Sequence, residues 1–567
     1  MTVPTWWQDA VGYQIYPRSF ADSSADGIGD LPGILEKLDY LQWAGITAIW
    51  LSPFYPSPLI DVGYDISDHI AVAPEYGTLQ DFDRLVNDAH RRGIRIIVDV
   101  ILNHTSDQHR WFLQSKSSRD NFYRDWYIWR DGKAGSPPND WEAMFGGSAW
   151  KYDENTDQYY YHYFLPEQPD LNWRNPAVKK AMFDVVRFWL NRGVDGIRLD
   201  AISTVFENED FPDANVNVSI LDIWKKRLSG HRHTWASEFF EKMRYQLMQP
   251  ENFDLFRELR KMVSREYKDR VLIGEAWETE YYVNGKGVHS LFNFDLTDIG
   301  KPDAPAVRRM LKTRLPALPG NAWECNTIGN HDRTRSFELF KDGKHDRRRY
   351  EIGLATVMLL RGTPMYYYGE EIAMRDYLMP DIEHFTDGLG VWAYHELIAM
   401  GMDEKTALIE SQKPGRDKCR TPMQWENAPN ARFSPEGVKT WLPVNPDYAD
   451  GINVAAQRSQ RDSILHYFRE LVQLRHEYIT LRRGDFQLID RTGDVLAFWR
   501  RSPAQTCIVA MNMSAEPVTY SAGMLRVRRV YSNYDGLVPE NKITRLGLAY
   551  DLAGLILRPY EVFVGLT

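Results

Sequence analysis

Short runs of consecutive apolar residues recur along this chain, and between them apolar positions fall three and four apart. The runs V-G-Y-Q-I-Y (11–16), I-T-A-I-W-L (46–51) and I-R-I-I-V-D-V-I (94–101) read as strands. The stretch G-V-D-G-I-R-L-D-A (193–201) sets apolar Ile197 and Leu199 among charged Asp195, Arg198 and Asp200, as a short strand with one buried face does. Further strand candidates lie at 271–274, 291–295, 326–329 and 364–368. Helical spacing covers 31–44, through Leu31, Ile34, Leu35, Leu38, Leu41 and Trp43, and 79–92, which stops at Gly93. It also covers 176–192, opening on Pro176, together with 253–268 and 347–361. About eight strands alternating with helices predict an α/β chain whose parallel sheet closes into a (β/α)8 barrel.

Two segments break the alternation. Residues 103–173 are rich in Trp, Tyr and Gly, include D-Q-Y-Y-Y-H-Y-F at 157–164, and carry little helical period. They read as a small domain inserted after the third strand, which leaves 1–102 and 174–485 to the barrel. From 486 to 567 short β-rich runs dominate, such as V-L-A-F-W-R and T-C-I-V-A-M-N-M, and predict a separate all-β domain.

A chain of 567 residues exceeds one hydrophobic core, in keeping with two or three domains. The net charge of −10 argues against nucleic acid as a partner. The 19 Trp and 31 Tyr fit either large cores or flat surfaces for sugar rings. Cys325, Cys419 and Cys507 are far apart and odd in number, which fits a reducing compartment better than a disulfide framework. The first residues lack a basic flank followed by an apolar run, and no apolar segment reaches the roughly 18 residues of a membrane helix. The expectation is a cytoplasmic protein with no membrane partner.

Chemistry gathers where strands end. Arg198 and Asp200 are two apart and share one face of their strand, either as an active-site edge or as a buried ion pair. Asn103 and His104 follow the third strand, Glu275 ends L-I-G-E-A-W, and His331 and Asp332 end G-N-H-D. Three acids at successive strand ends form a far more specific signal than any one of them. The loop A-D-S-S-A-D-G-I-G-D (21–30) offers Asp22, Ser24, Asp26, Asp30 and the Ile28 carbonyl as hard oxygen ligands. It reads either as a calcium-type loop or as an acidic turn capping the next helix.

The stretches D-V-G-Y-D (61–65), V-I-L-N-H-T (100–105), G-I-R-L-D-A (196–201), I-G-E-A-W (273–277), G-N-H-D (329–332) and R-T-P-M-Q-W (420–425) together resemble the α-amylase superfamily, glycoside hydrolase family 13, on its α-glucosidase and oligo-1,6-glucosidase branch. The resemblance implies a barrel, an inserted domain and a C-terminal β-sandwich. It implies Asp200 as nucleophile, Glu275 as acid/base and Asp332 as transition-state stabiliser, with Arg198 keeping Asp200 ionised. It also implies hydroxyl-binding by His104 and His331, and a glucose pocket of Asp61, Tyr64, Phe145, Phe164 and Arg416. Tyr64 would stack on the ring, and an Asp61–Arg416 ion pair would close the end. For Phe145 and Phe164 plain domain packing is an open alternative. The 22–30 loop resembles the branch's metal site, with Ser24 where relatives carry Asn, so a structural Ca2+ or Mg2+ is expected and no catalytic cofactor.

The activity implied is an exo-acting, retaining α-glucosidase that removes glucose from small α-glucosides. Ala201, after the nucleophile, leans toward α-1,4 linkages. Sucrose isomerases, trehalose synthases and transglucosidases share the intermediate and form the alternative. A catalytically inactive binding protein is a remote third reading, because all three acids are present.

Overall fold

The computed structural model describes residues 6–228, 235–299, 303–320, 322–521, 526–527, 529–538, 550–551 and 554–567. Eight parallel strands close into a barrel: β1 (Gly12–Ile15), β2 (Ala48–Leu51), β3 (Arg95–Ile101), β4 (Gly196–Asp200), β5 (Val271–Gly274), β6 (Ser290–Phe292), β7 (Glu324–Asn326) and β8 (Thr363–Tyr367). Each pairs with its neighbours in sequence, and β8 returns to β1. The strands are buried along their length, β3 except at Arg95, so apolar side chains serve both the barrel interior and the helix layer. Trp7, Trp50, Ile97, Ile273, Phe292 and Met365 pack together as one apolar cluster. On the same sheet Asp99 is paired in register with Arg198, and Gln14 with Trp50.

Local chemistry sets the helices. Thr78 and Asp81 form a reciprocal capping box at the start of Leu79–Arg91, which buries Phe82, Leu85, Val86 and Ala89. Asn175 caps Pro176–Asn191, and Gly193, at φ 94°, makes the turn into β4. The expected helix 31–44 is two, Leu31–Glu36 and Leu38–Ala44, broken at Lys37. The strand expected at 326–329 is centred earlier, at 324–326, because buried Glu324 pairs with Arg314 and so fits inside the sheet.

Between β3 and β4 the chain forms a three-stranded antiparallel sheet, with Gln158–Tyr161 between Trp129–Arg130 and Trp150–Asp153. Trp141, Trp150, Tyr161 and Tyr163 of this excursion share a core with Phe211, Ile220, Trp224 and Met243. The inserted segment is therefore packed against the long connection after β4. At the C-terminus six antiparallel strands form one sheet, in the order 485–489, 495–502, 505–512, 562–566, 529–532 and 536–538, with two short ladders beside it. Arg500 and Arg475, both buried, donate to the carbonyls of Leu359 and Met358 at the end of the barrel helix Asp346–Leu359. Cations at a helix C-terminus are favourable, and here one of them anchors the C-terminal sheet. All three cysteines are free and buried. Among the described residues no helix is long and apolar enough to cross a membrane.

Candidate active site

Arg198 organises the centre. Buried charges need partners, and this guanidinium has three. Its Nη1 donates to Asp99 Oδ1 at 2.8 Å and to Asp200 Oδ1 at 2.5 Å, and its Nη2 lies 2.6 Å from Glu275 Oε2. Three carboxyls around one cation cannot all ionise cheaply. Burial pushes Glu275 up to about 7; Arg198 opposes the rise, and the charges of Asp200 and Asp332 add to it. Burial likewise raises Asp200 to about 6 against the pull of Arg198. Arg198 favours the ionised form of Asp200, as the sequence implies, while burial opposes it. Burial raises both acids above the ordinary carboxylate range against the pull of Arg198, so the pair shares one proton as the pH nears neutrality, as an acid beside a nucleophile must. Directly after Asp200, Ala201 takes a left-handed turn at φ 42°, and its N–H donates to Glu275 Oε2 at 3.1 Å.

Asp332 lies in a different field. Arg420 Nη2 is 2.8 Å from its Oδ1 and Arg416 Nη1 3.4 Å away. Burial, which alone would raise it, is outweighed by His331 and by the guanidiniums of Arg416, Arg420 and Arg198, which hold this carboxyl well below the usual range. Burial pushes His331 down to about 3, so near neutral pH it offers an N–H rather than a charge.

The pocket residues meet as follows. Arg416 Nη2 donates to Asp61 Oδ1 at 2.8 Å. Tyr64 Oη is 2.6 Å from His331 Nε2 and donates to Asp99 Oδ2 at 3.2 Å. His104, also neutral, lies with Nε2 3.2 Å from the Tyr64 carbonyl. Phe164 stands edge-on to His104 at 5.2 Å, and Phe145 packs on Phe164 at 6.2 Å. Phe145 is thus tied in through Phe164.

Three partners were not read from the sequence. Asp99, a lone charge inside an apolar strand, was a visible flag whose partner was not. Asp387, fully buried, accepts from Arg416 Nε at 2.8 Å and Nη2 at 2.6 Å, and no motif marks it. Gln168 bridges Asp61 and His104 through its amide at 3.1 Å each. Trp277, two residues beyond Glu275, is 44% exposed, with its N–H donating to Asp298.

The 22–30 loop is hydrogen-bonded to the segment 433–441. Asp22 accepts from the N–H groups of Ala25 and Gly27, and Asp30 caps the helix at Leu31 while also accepting from Ser23 and Ser24. The capping alternative is therefore realised at Asp30. Among the described residues no group of three or more His, Cys, Asp or Glu side chains is arranged to hold a metal. Both Asp30 oxygens already accept two or more protein donors, from Ser23, Ser24 and Gly33, and Asp22 Oδ1 accepts from Ser24 and Ala25, so the lone pairs left for a hard cation lie on Asp22 Oδ2 and on Asp26.

Residues 14–484 match the family described as α-amylase, catalytic domain. The oligo-1,6-glucosidase of Parageobacillus thermoglucosidasius is 36% identical over 99% of this chain and 98% of its own. Among solved structures, the trehalulose synthase of Pseudomonas mesoacidophila MX-45 superposes over the whole of both chains with a TM-score of 0.86 at 34% identity. An isomaltulose synthase of Erwinia rhapontici NX5, solved with its natural substrate sucrose, does so with a TM-score of 0.85 at 33% identity.

Proposed function

Since the chain belongs to the α-amylase family of glycoside hydrolases, family 13, and is an enzyme of that class, we propose that it is an exo-acting, retaining α-glucosidase of small α-glucosides, with α-1,4 linkages favoured. The observation that carries the retaining mechanism is the sharing of Arg198 by Asp200 and Glu275. Two carboxyls on one guanidinium fit the close pairing, about 5–5.5 Å, that retention uses rather than the roughly 6.5–9.5 Å of inversion. Asp200 attacks the anomeric carbon while Glu275 gives its proton to the leaving oxygen. Water, deprotonated by Glu275, then breaks the glucosyl ester. Asp332, fixed by two arginines and permanently ionised, binds the sugar hydroxyls as the ring flattens and positive charge develops. The Asp61–Arg416–Asp387 cluster closes the far end and restricts the pocket to one glucose unit.

A second reading is favoured by the fit to sucrose-isomerising enzymes: the same intermediate, with a sugar rather than water as acceptor. Product analysis with maltose, isomaltose, sucrose and trehalose decides. Free glucose from maltose supports the hydrolase; new disaccharides from sucrose support transfer.

A structural Ca2+ or Mg2+ in the 22–30 loop belongs to the same proposal, with Asp22, Ser24, Asp26, the Ile28 carbonyl and Asp30 as its ligands and no part in catalysis. Metal analysis and a lower melting temperature after chelation support it; a metal-free protein with an unchanged melt counts against it. Three free thiols fit a cytoplasmic location, which fractionation of the source cells tests.

A further inference from the structure

Gln14, on β1, is buried inside the barrel. Its Nε2 donates to Ser52 Oγ at 3.0 Å and lies 2.8 Å from His331 Nδ1, while its Oε1 has no partner among the described residues. The amide therefore directs donors at both contacts. Across the imidazole, Nε2 is 2.6 Å from Tyr64 Oη and 3.3 Å from Asp332 Oδ2. A neutral imidazole carries its proton on one nitrogen. Asp332 is ionised and presents only lone pairs, so a bare Nε2 would be repelled by it. The proton belongs on Nε2, and Nδ1 must then accept, which the Gln14 amide permits. Turning that amide over would set a carbonyl against Nδ1, draw the proton there and leave Nε2 bare.

We propose that Gln14 is a positioning residue, whose amide holds His331 in the Nε2–H tautomer so that this N–H faces Asp332, Tyr64 and the sugar. The proposal rests on the reading of His331 as a hydroxyl ligand and extends it to a residue that touches no substrate. The network then has one direction: Gln14 to His331, His331 to Tyr64, Tyr64 to Asp99 Oδ2, with Asp99 on the guanidinium that Asp200 and Glu275 share. Trp50, beside Gln14 in the sheet and edge-on to His331 at 6.0 Å, is placed to pack against the ring but has no acceptor or amide to orient its proton.

The test pairs Gln14→Glu with Gln14→Leu, using 15N-histidine NMR on the full chain. The His331 signals are identified by their loss in His331→Asn. Wild-type protein is expected to show Nε2 protonated and Nδ1 bare, without any substrate present. Glutamate accepts where glutamine donates, so Nδ1 gains a proton and kcat/KM falls about 10–100-fold, as replacement of an orienting partner does, chiefly in kcat. Gln14→Leu removes the donor at Nδ1 without supplying an acceptor, so part of the Nδ1–H form appears and kcat/KM falls less than in Gln14→Glu; a Gln14→Leu spectrum identical to wild type also overturns the proposal. A wild-type Nδ1–H tautomer overturns the proposal, as does Gln14→Glu with unchanged kcat/KM, or Gln14→Leu more damaged than Gln14→Glu. Should Gln14→Glu not fold, the wild-type and Gln14→Leu spectra carry the test. If no α-glucoside is turned over, the proposed function fails while the wild-type and Gln14→Leu spectra together still decide the role of Gln14.

Discussion

Replacing Glu275 by glutamine separates two effects of burial on this side chain. The folded protein raises its pKa from 4.5 to about 7, first through desolvation. At about 1.4 kcal/mol per pH unit, holding Glu275 ionised in the folded protein costs roughly 3 kcal/mol above pH 7. The sign follows from proton binding. Between pH 4.5 and 7 the folded state holds the proton more tightly than the unfolded chain, so this group's contribution is fully present below 4.5 and is lost as the pH rises through 7. Glutamine keeps an oxygen for Arg198 and for the Ala201 N–H but has no charge to desolvate. Glu275→Gln should therefore be more stable than wild type at pH 8 and little different at pH 4.5. With an unfolding entropy of about 2.1 cal/mol/K per residue, the 567-residue chain would melt about 2–3 °C higher at pH 8. Parallel thermal melts across this range provide the stability assay. In the same variant turnover of maltose should fall about 10²–10⁴-fold, the usual worth of a general acid. Formation of the intermediate from α-glucosyl fluoride, whose leaving group needs no proton, should largely survive. A variant less stable than wild type at pH 8, or one that still hydrolyses maltose, would refute the assignment and its electrostatic basis together.

Other predictions concern the same site. The pH profile of kcat/KM should be a narrow bell, falling below about 6 as Asp200 takes a proton and above about 7 as Glu275 loses its own; a profile flat from pH 5 to 8 contradicts this. Asp387→Asn weakens the clamp on Arg416, so KM for maltose should rise about tenfold, the equivalent of roughly 1.4 kcal/mol, with a smaller change in kcat; steady-state kinetics check it, and an unchanged KM counts against a closed pocket end. Trp277→Ala removes the exposed indole two residues beyond Glu275, and the ratio of transfer products to glucose at high sugar concentration should fall, as read by chromatography.

Much of the barrel is legible in the sequence because buried parallel strands are written as mostly apolar runs, broken only at positions such as Gln14 and Asp99 that serve the site. Ile96, Ile97, Val98 and Val100 leave little doubt about β3, and β1, β2, β5 and β8 announce themselves in the same way. The strand at 324–326 is displaced from its expected place because Glu324 looks like a surface residue until Arg314 is found beside it. Pairings between distant segments are invisible for the same reason. Asp99 reads as an anomaly in β3, and only folding brings Arg198 to it. Arg416 is legible from its motif and Asp61 from another, whereas Asp387 sits in a loop with no pattern, and only the clamp on Arg416 reveals it. The loop at 22–30 carries two compatible messages. Asp30 caps a helix, and the expectation of a metal there rests on the spacing of its oxygen side chains.

The covalent step is open to direct measurement. A 5-fluoro-α-glucosyl fluoride forms the ester readily and loses it slowly, so brief incubation followed by proteolysis and mass spectrometry locates the sugar. The prediction is one added fluoroglucosyl unit on the peptide that contains Asp200, absent in Asp200→Asn. A modified side chain elsewhere, or turnover of the reagent with no adduct at any time, would contradict it.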